Sequence, residues 1–134
     1  MTTPTNPPPR EATCAPCAPV AWSAARWWQT GFVSDPTIKR LESTDAFVLT
    51  DFPDAERADG IVRCAKKVLV DSTRTLARSR SYAWALLGHR VSGASAAINA
   101  VGDARRAAIE AFSGEVAPMV ESGSLLLGAG KGLD

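Results

Sequence analysis

The sequence has no strong charge of either sign and no long apolar run. Fifteen Lys and Arg stand against fourteen Asp and Glu, which leaves a formal net charge of +1. A chain this close to neutral has no field that would attract nucleic acid or an anionic membrane surface. No apolar stretch is long enough to span a bilayer, and the opening residues MTTPTNPPPREA lack the apolar core of a secretory signal. We therefore expect a cytoplasmic protein that binds neither nucleic acid nor membrane.

Cysteine and histidine are also scarce, which limits redox and metal chemistry. An odd number of cysteines, three, does not suit a disulfide framework, so we expect them to be reduced. Cys14 and Cys17 have the spacing of a thiol redox pair, but they lie in a proline-rich stretch that no strand precedes. Together with Cys64 and the single histidine, His89, they are too scattered for a metal site. The sequence predicts no metal site and no redox site, and a His89 that caps helix carbonyls or meets solvent.

The chain has the size and composition of one folded domain with a tail. At 134 residues, 46% hydrophobic and 22% charged, it can bury a single core. Residues 1–19 hold six of the nine prolines and few large apolar side chains, so they cannot offset the entropy lost on ordering. We expect a disordered Pro-rich tail over residues 1–19 and a single domain over residues 20–134. Trp22, Trp27 and Trp28 should dock on the domain's own core, with a partner surface as the alternative.

Two strands and a helix are predicted in the first half of the domain. DAFVLTDF alternates and is rich in strand-forming residues, which predicts a strand over residues 46–51, and GIVRCA shortly afterwards predicts a second. Residues 66–87 then approximate a helical stripe, although KVLV near its start would also suit a strand. The stripe consists of Leu69, Thr73, Leu76, Ala77, Tyr82, Ala83, Leu86 and Leu87. Asp71 or Ser72 is the expected N-cap, and Gly88 the expected stop.

The second half continues the alternation of strands and helices. HRVSGASAAINA has β-branched residues around a small-residue centre, which suits a strand, and the final SGSLLLGAGKGLD contains a short apolar run that suits another. Asp103 opens the clearest helix, and Pro118 predicts a kink or break in it. One face of that helix holds Ala104, Ala107, Ala108, Ala111, Phe112, Val116, Met119 and Val120. The pattern predicts an α/β or α+β fold in which a mixed sheet of a few strands is flanked by helices.

Three blocks of sequence resemble one protein family. DGIVR, LARSRSYAWALLGHRVSGASAAI and AFSGEVAPMVESG look like the N-terminal, oligomerising and substrate-binding domain of the glutamate/leucine/phenylalanine/valine dehydrogenases. That family has Lys-Gly-Gly-(Ile/Leu)-Arg, then a helix ending Met-Thr-(Tyr/Phe)-Lys-x-Ala, then Pro-x-Gly-Gly-(Ala/Gly)-Lys-Gly-Gly. Without a gap, these blocks fall on residues 59–63, 80–83 and 90–97. The resemblance covers about residues 45 to 125 and implies an incomplete amino-acid dehydrogenase domain.

The departures from the family concern its catalytic lysines. The resemblance implies that three lysines bind the substrate carboxylate and assist catalysis, and here those positions are Asp59, Ala83 and Ser95. An acid, a methyl group and a hydroxyl cannot hold a carboxylate by charge-assisted hydrogen bonds or carry the lysine's proton. We therefore predict no catalytic residue. What would remain of the substrate site is Gly60, Arg63, Gly93, Ala94 and Ser95.

Three further features of the sequence each have a structural and a functional interpretation. Arg63 keeps the family's residue type, and a structural ion pair is as good an interpretation as an anion contact. Arg74 and Arg78, spaced i, i+4, predict a solvated basic helix face, with a docking patch as the alternative. The small residues of SGASAAINA, 92–100, allow close approach of either a backbone or a substrate. We interpret them as the remnant of a substrate-cradling turn whose backbones still pack.

The resemblance implies NAD(P) for the family, but no cofactor site for this chain. The family's doubly wound dinucleotide-binding unit is missing from the sequence, and hydride transfer needs the cofactor that it holds. GAGKG, 128–132, lacks the strand-turn-helix context of a nucleotide site. If the same alignment is extended without a gap, the position of the family's catalytic aspartate falls close to Lys131.

Three functional hypotheses follow. The first is a truncated, inactive relative of the amino-acid dehydrogenases that retains folding and self-association, as a homo-oligomer, through its β-rich N-terminal part. The second is a small interaction module that uses Trp22, Trp27 and Trp28 on a partner. The third is a fragment of a longer, active oxidoreductase. Whether the domain takes a small-molecule ligand stays open.

Overall fold

The computed structural model describes residues 35–133. The predicted tail, the three clustered tryptophans and the Cys14–Cys17 pair lie outside these residues. The elements are β1 Thr37–Arg40, β2 Ala46–Thr50, β3 Ala58–Ala65, α1 Val70–Leu86, β4 Ser92–Asn99, α2 Ala104–Glu121 and β5 Leu125–Ala129. They form the mixed sheet with flanking helices that the sequence predicts.

The five strands lie in the order β1-β2-β4-β3-β5. The β1 and β2 strands pair antiparallel, as do β2 and β4, whereas β3 pairs parallel with both β4 and β5. Parallel neighbours need a crossover, and α1 supplies it between β3 and β4. The two central strands, β4 and β3, have a helix on each face, α1 on one and α2 on the other.

One face of the sheet packs on α2. Alternate residues of β4, Ala94, Ala96 and Ile98, are fully buried in the same apolar cluster as Phe112 and Val116 of α2. A fully buried side chain of this kind contributes roughly 1.5–3 kcal/mol of transfer free energy. The predicted apolar face of this helix is therefore confirmed at its centre, and the main core lies between α2 and the sheet.

The other face of the sheet lies unusually close to α1. The buried residues of α1 are Thr73, Ala77 and Ser81, which are four residues apart and small. A Cβ atom on Gly93 of β4 would overlap the carbonyl oxygen of Ala77 and lie 2.7 Å from the backbone nitrogen of Ser81. The Gly93 N–H instead donates to the Ser81 hydroxyl, at 2.8 Å. The small residues of β4 thus serve backbone-to-backbone packing between strand and helix.

The start and the buried face of α1 differ from the prediction. The helix begins at Val70, its N-cap is Leu69 rather than Asp71 or Ser72, and no side chain caps it. Ser72 lies within the helix, and its hydroxyl donates back to the Leu69 carbonyl at 2.9 Å. The predicted end is confirmed, since Gly88 follows the helix with a φ of +77°.

The predicted apolar stripe of α1 is confirmed at Thr73 and Ala77, which are buried, and is wrong for its larger members. Four of its large apolar members are exposed: Leu69, Tyr82, Leu86 and Leu87. The close approach at Gly93 admits only small side chains beneath the helix, so the larger ones point away from the sheet. The Arg78 part of the predicted solvated basic face is also wrong, because Arg78 pairs with a buried carboxylate, whereas Arg74 is exposed.

The α2 helix begins after Asp103, as predicted, but Pro118 does not break it. The helix continues to Glu121, and the Pro118 carbonyl still accepts the Ser122 N–H at 3.1 Å. Pro118 costs the helix one hydrogen bond, the one that an N–H there would donate to the Gly114 carbonyl, but the last turn still closes after it. The strand β1 is missing from the prediction, because TIKR has no alternation that distinguishes it from a loop.

Candidate functional site

Polar side chains connect α1 to the sheet along a line that we call the polar seam: Asp51, Asp59 and Arg63 on the sheet side, Arg78, Arg80 and Trp84 on the helix side. The seam includes the family's first lysine position, Asp59, and lies next to the second, Ala83. Its geometry therefore bears directly on what the site can do.

Asp59 is held by two side chains of α1. Its Oδ2 accepts a hydrogen bond from the Trp84 indole N–H at 2.9 Å and lies 3.0 Å from an Arg80 guanidinium nitrogen. Arg80 and Trp84 reach the same carboxylate because they are one helical turn apart. Asp59 is only 8% exposed. An acid whose charge is already balanced by Arg80 offers no cation to a substrate carboxylate.

Asp51 and Arg78 form the second contact of the seam. The Arg78 Nε lies 2.7 Å from Oδ1 of Asp51, a residue that has no exposed surface. The hydrogen bond to this carboxylate raises the pKa of Arg78 above its usual value, and the nearby negative charge acts in the same direction. Asp51 Oδ2 has no hydrogen-bond partner among the described residues. The pair is a fixed charge contact between α1 and the end of β2.

The third contact joins Arg63 to the first turn of α1. One guanidinium nitrogen of Arg63 donates to the hydroxyls of Thr73, at 3.2 Å, and Ser72, at 3.4 Å. The Nε of Arg63 is buried without a hydrogen-bond partner. Arg63 thus has hydroxyl partners and, within residues 35–133, no carboxylate partner.

The family's third lysine position is buried beneath α1. Ser95 lies on the face of β4 that carries Gly93 and Ala97, has no exposed surface, and its hydroxyl has no hydrogen-bond partner among the described residues. Asp59 pairs with Gly93 across the parallel strands. The strand spacing and rise then put the Cα atoms of Asp59 and Ser95 about 8 Å apart. Ala83, by contrast, is exposed on α1, one residue before Trp84.

The five residues predicted to remain from a substrate site do not share one surface. Gly93, Ser95 and Arg63 lie on the α1 face of the sheet, whereas Ala94 belongs to the α2 core. Gly60 alternates with Asp59 and lies against the Ala94 carbonyl, so a Cβ atom there has no room. Strand alternation separates neighbours in sequence onto opposite faces, and substrate binding by these residues stays a prediction.

Four residues of the seam are absent from the predicted site: Asp51, Arg78, Arg80 and Trp84. The signal for Arg80 and Trp84 was their i, i+4 spacing, combined with an acid at the lysine position. For Asp51 the sequence gives only an acid at the end of a predicted strand. Which cation it meets depends on the helix register, which the sequence does not fix.

The described residues show no metal cluster. No group of three or more His, Cys, Asp or Glu within residues 35–133 could hold an ion. The Cys64 thiol is free and buried, and the exposed His89 packs edge-on against Trp84, with ring centroids 5.6 Å apart. The His89 backbone N–H caps the Trp84 carbonyl at 3.0 Å. Within the same residues, neither helix combines the length and the apolar character that crossing a membrane requires.

Comparison with solved structures defines the class of fold. The fold is one found in amino-acid dehydrogenases, and the resemblance seen in the sequence is confirmed at this level. The chain is similar to L-tryptophan dehydrogenase from Nostoc punctiforme, with a TM-score of 0.57 and 16% identity over 74% of this chain and 30% of that one. It is also similar to the leucine-bound form of hetero-hexameric glutamate dehydrogenase from Thermus thermophilus, with a TM-score of 0.58 and 17% identity over 92% of this chain and 37% of that one.

These comparisons extend to the fold and no further. The chain spans about a third of the length of the two dehydrogenases, and identities of 16% and 17% carry no activity across. No protein-family model matches the sequence, and no curated protein matches it.

Proposed function

We propose that this domain is a non-catalytic relative of the amino-acid dehydrogenases, which keeps their fold without binding an amino acid or NAD(P) on its own. The proposal rests on the state of the lysine positions. Asp59 is an acid held by Arg80 and Trp84, and Ser95 lies beneath α1 with no exposed surface. A substrate carboxylate would meet a negative charge at the first position and no open space at the third.

The activity measurement is direct. The purified chain is incubated with tryptophan, leucine, glutamate, phenylalanine or valine and either NAD+ or NADP+, and reduced nicotinamide is followed by absorbance. We expect no rate above that of a chain-free blank, because none of the three positions carries a cation to hold the substrate carboxylate or an ammonium group to carry the lysine's proton. A rate proportional to the chain concentration, and absent after heat denaturation, would show that the proposal is wrong.

Two variants test whether the lysine sites still have room for lysine. Ser95→Lys should lower the free energy of unfolding by about 3 kcal/mol or more, since it places a long charged side chain where none is accommodated. Ala83→Lys is the matched control, because Ala83 is exposed on α1, and should change stability by no more than about 0.5 kcal/mol. Urea unfolding measures both. A stable Ser95→Lys variant would indicate an open cleft instead of a closed one.

We further infer that the chain forms a homo-oligomer and acts in the cytoplasm. The sequence favours the β-rich N-terminal part as the interface, but β1 carries Lys39 and Arg40, and cations disfavour edge-to-edge pairing. The opposite edge strand, β5, is better suited, because Leu126 is 64% exposed there. The free thiol of Cys64 is compatible with a reducing compartment.

A further inference from the structure

A cavity of about 610 Å³ opens at the carboxyl ends of β3 and β5, beside the first turn of α1. It lies at the opposite end of α1 from the contacts of Asp59 with Arg80 and Trp84. In sheets with parallel strands, ligands bind preferentially outside the carboxyl ends of the strands. The position of the cavity therefore agrees with a binding site separate from the altered lysine positions.

Four cationic side chains line this cavity, and they come from four different segments. Arg63 is on β3, Lys67 follows β3, Arg105 is in the first turn of α2, and Lys131 follows β5. None of the described lining residues is Asp or Glu. Arg105 has an interaction of its own, which leaves Arg63, Lys67 and Lys131 to attract an anion. Concentrating like charges in one concave surface costs electrostatic energy, and a bound anion lowers that cost. The cavity is thus a cation-lined concave surface in a nearly neutral chain.

The fold holds one of these cations in place and anchors the backbone that carries another. The Arg63 guanidinium is fixed by the hydroxyls of Ser72 and Thr73. The loop that carries Lys131 is tied to β3, because the Lys131 carbonyl accepts the Cys64 N–H at 3.0 Å. Gly132 permits this close approach, since a Cβ atom there would overlap the Cys64 carbonyl oxygen. Cations that are fixed before binding lose less entropy when the ligand arrives.

The size and the remaining walls of the cavity indicate the class of ligand. A volume of about 610 Å³ is far larger than an inorganic phosphate needs and falls in the range of small-molecule sites. Val68 and Leu69 contribute apolar surface beside the cations. Leu69 is also the uncapped N-cap of α1, so first-turn N–H groups are available nearby for an anion.

We propose that this cavity binds a small phosphomonoester, with the phosphate among Arg63, Lys67 and Lys131 and its organic part against Val68 and Leu69. The site goes beyond the proposed loss of dehydrogenase function. It uses none of the residues at the lysine positions.

The test is isothermal titration of the full chain at constant ionic strength with AMP, ribose 5-phosphate, inorganic phosphate, adenosine and succinate. We expect AMP and ribose 5-phosphate to bind, inorganic phosphate to bind more weakly, and adenosine not to bind. Binding of succinate as tight as that of the phosphomonoesters would overturn the phosphate assignment. Absence of binding by every phosphate compound would overturn the site.

Charge variants locate the binding. Lys67→Gln and Lys131→Gln should each weaken AMP binding about tenfold, the loss of one charge-assisted hydrogen bond. Lys66→Gln is the matched control, because it removes the same charge from an exposed neighbour that does not line the cavity. Equal weakening by all three variants would mean general attraction to a cation-rich surface, and the proposal would be wrong. These results are independent of the dehydrogenase assay.

Discussion

Gly93 sets the distance between α1 and the sheet. Because its position has no Cβ atom, the Ala77 carbonyl and the Ser81 backbone lie directly over β4. Gly93→Ala should therefore push the helix outward and lower the free energy of unfolding by about 3 kcal/mol, at the upper end of the range for overpacked cores. Urea unfolding monitored by far-UV circular dichroism measures the change.

The matched control is a second glycine with open space around it. Gly114 lies within α2, and a Cβ atom there would meet nothing within 4 Å. Gly114→Ala should stabilise the chain by roughly 0.5–1 kcal/mol, because alanine loses less backbone entropy in a helix. If both variants shift stability in the same direction, the close packing at Gly93 does not limit the side chain there.

Among the elements, α2 is tied to the turn between β1 and β2 by one carboxylate. Glu115 accepts hydrogen bonds from the Ser43 hydroxyl at 2.6 Å, from the Ser43 N–H at 3.1 Å, and from the Glu42 N–H at 3.1 Å. These bonds, first the one from the Ser43 hydroxyl, lower the pKa of Glu115 below its ordinary value of 4.5. The ionised form is therefore the one that the fold stabilises.

The lowered pKa of Glu115 determines how the stability of the fold depends on pH. A carboxyl whose pKa is lowered by folding contributes stability above the unfolded-state value, and the contribution is lost as pH falls through the lower folded-state pKa. Wild type should melt at a higher temperature than Glu115→Gln near neutral pH, and the difference should shrink as pH falls below 4.5. Glu121→Gln, which removes the same charge at the end of α2, should show no such narrowing. A pH-independent difference for Glu115→Gln would contradict the role assigned to its charge.

Helices and strands with a clear periodicity of apolar residues could be predicted from the sequence. Those whose buried face is set by close backbone packing could not. The face of α2 around Phe112 follows from its apolar spacing. In α1 the buried residues are Thr73, Ala77 and Ser81. The stripe included Thr73 and Ala77, but their small side chains give a weak signal beside the leucines, so the larger side chains were assigned to the wrong side. The cause lies in β4, since only the folded strand shows that Gly93 lies under the helix.

The candidate site was predictable in position but not in its contacts. The three blocks assigned Asp59 and Ser95 to one site, and the structure puts them on the neighbouring strands β3 and β4. The partners of Asp59 depend on which turn of α1 crosses β3, and those of Asp51 on where β2 ends. Such contacts join residues 21 to 27 positions apart and leave no pattern within a short window.

On the scale of the whole molecule, the open edges of the sheet determine how copies of the chain could associate. Light scattering should show an oligomer for wild type and a smaller species for Leu126→Lys, since a cation on the β5 edge disfavours pairing. Val101→Lys is the control, because Val101 is 54% exposed in the loop between β4 and α2. A wild-type chain that stays monomeric at all concentrations would contradict the proposed homo-oligomer.

The strand order also constrains synthesis. The β2 and β3 strands leave the ribosome one after the other, yet β4, made only after α1, lies between them. A nascent chain that stops before Ser92 can form the β1–β2 hairpin but has no partner for β3 on the β4 side. Assembly of the sheet must therefore wait for a late segment to insert at its centre, which makes the half-finished chain a candidate for chaperone binding.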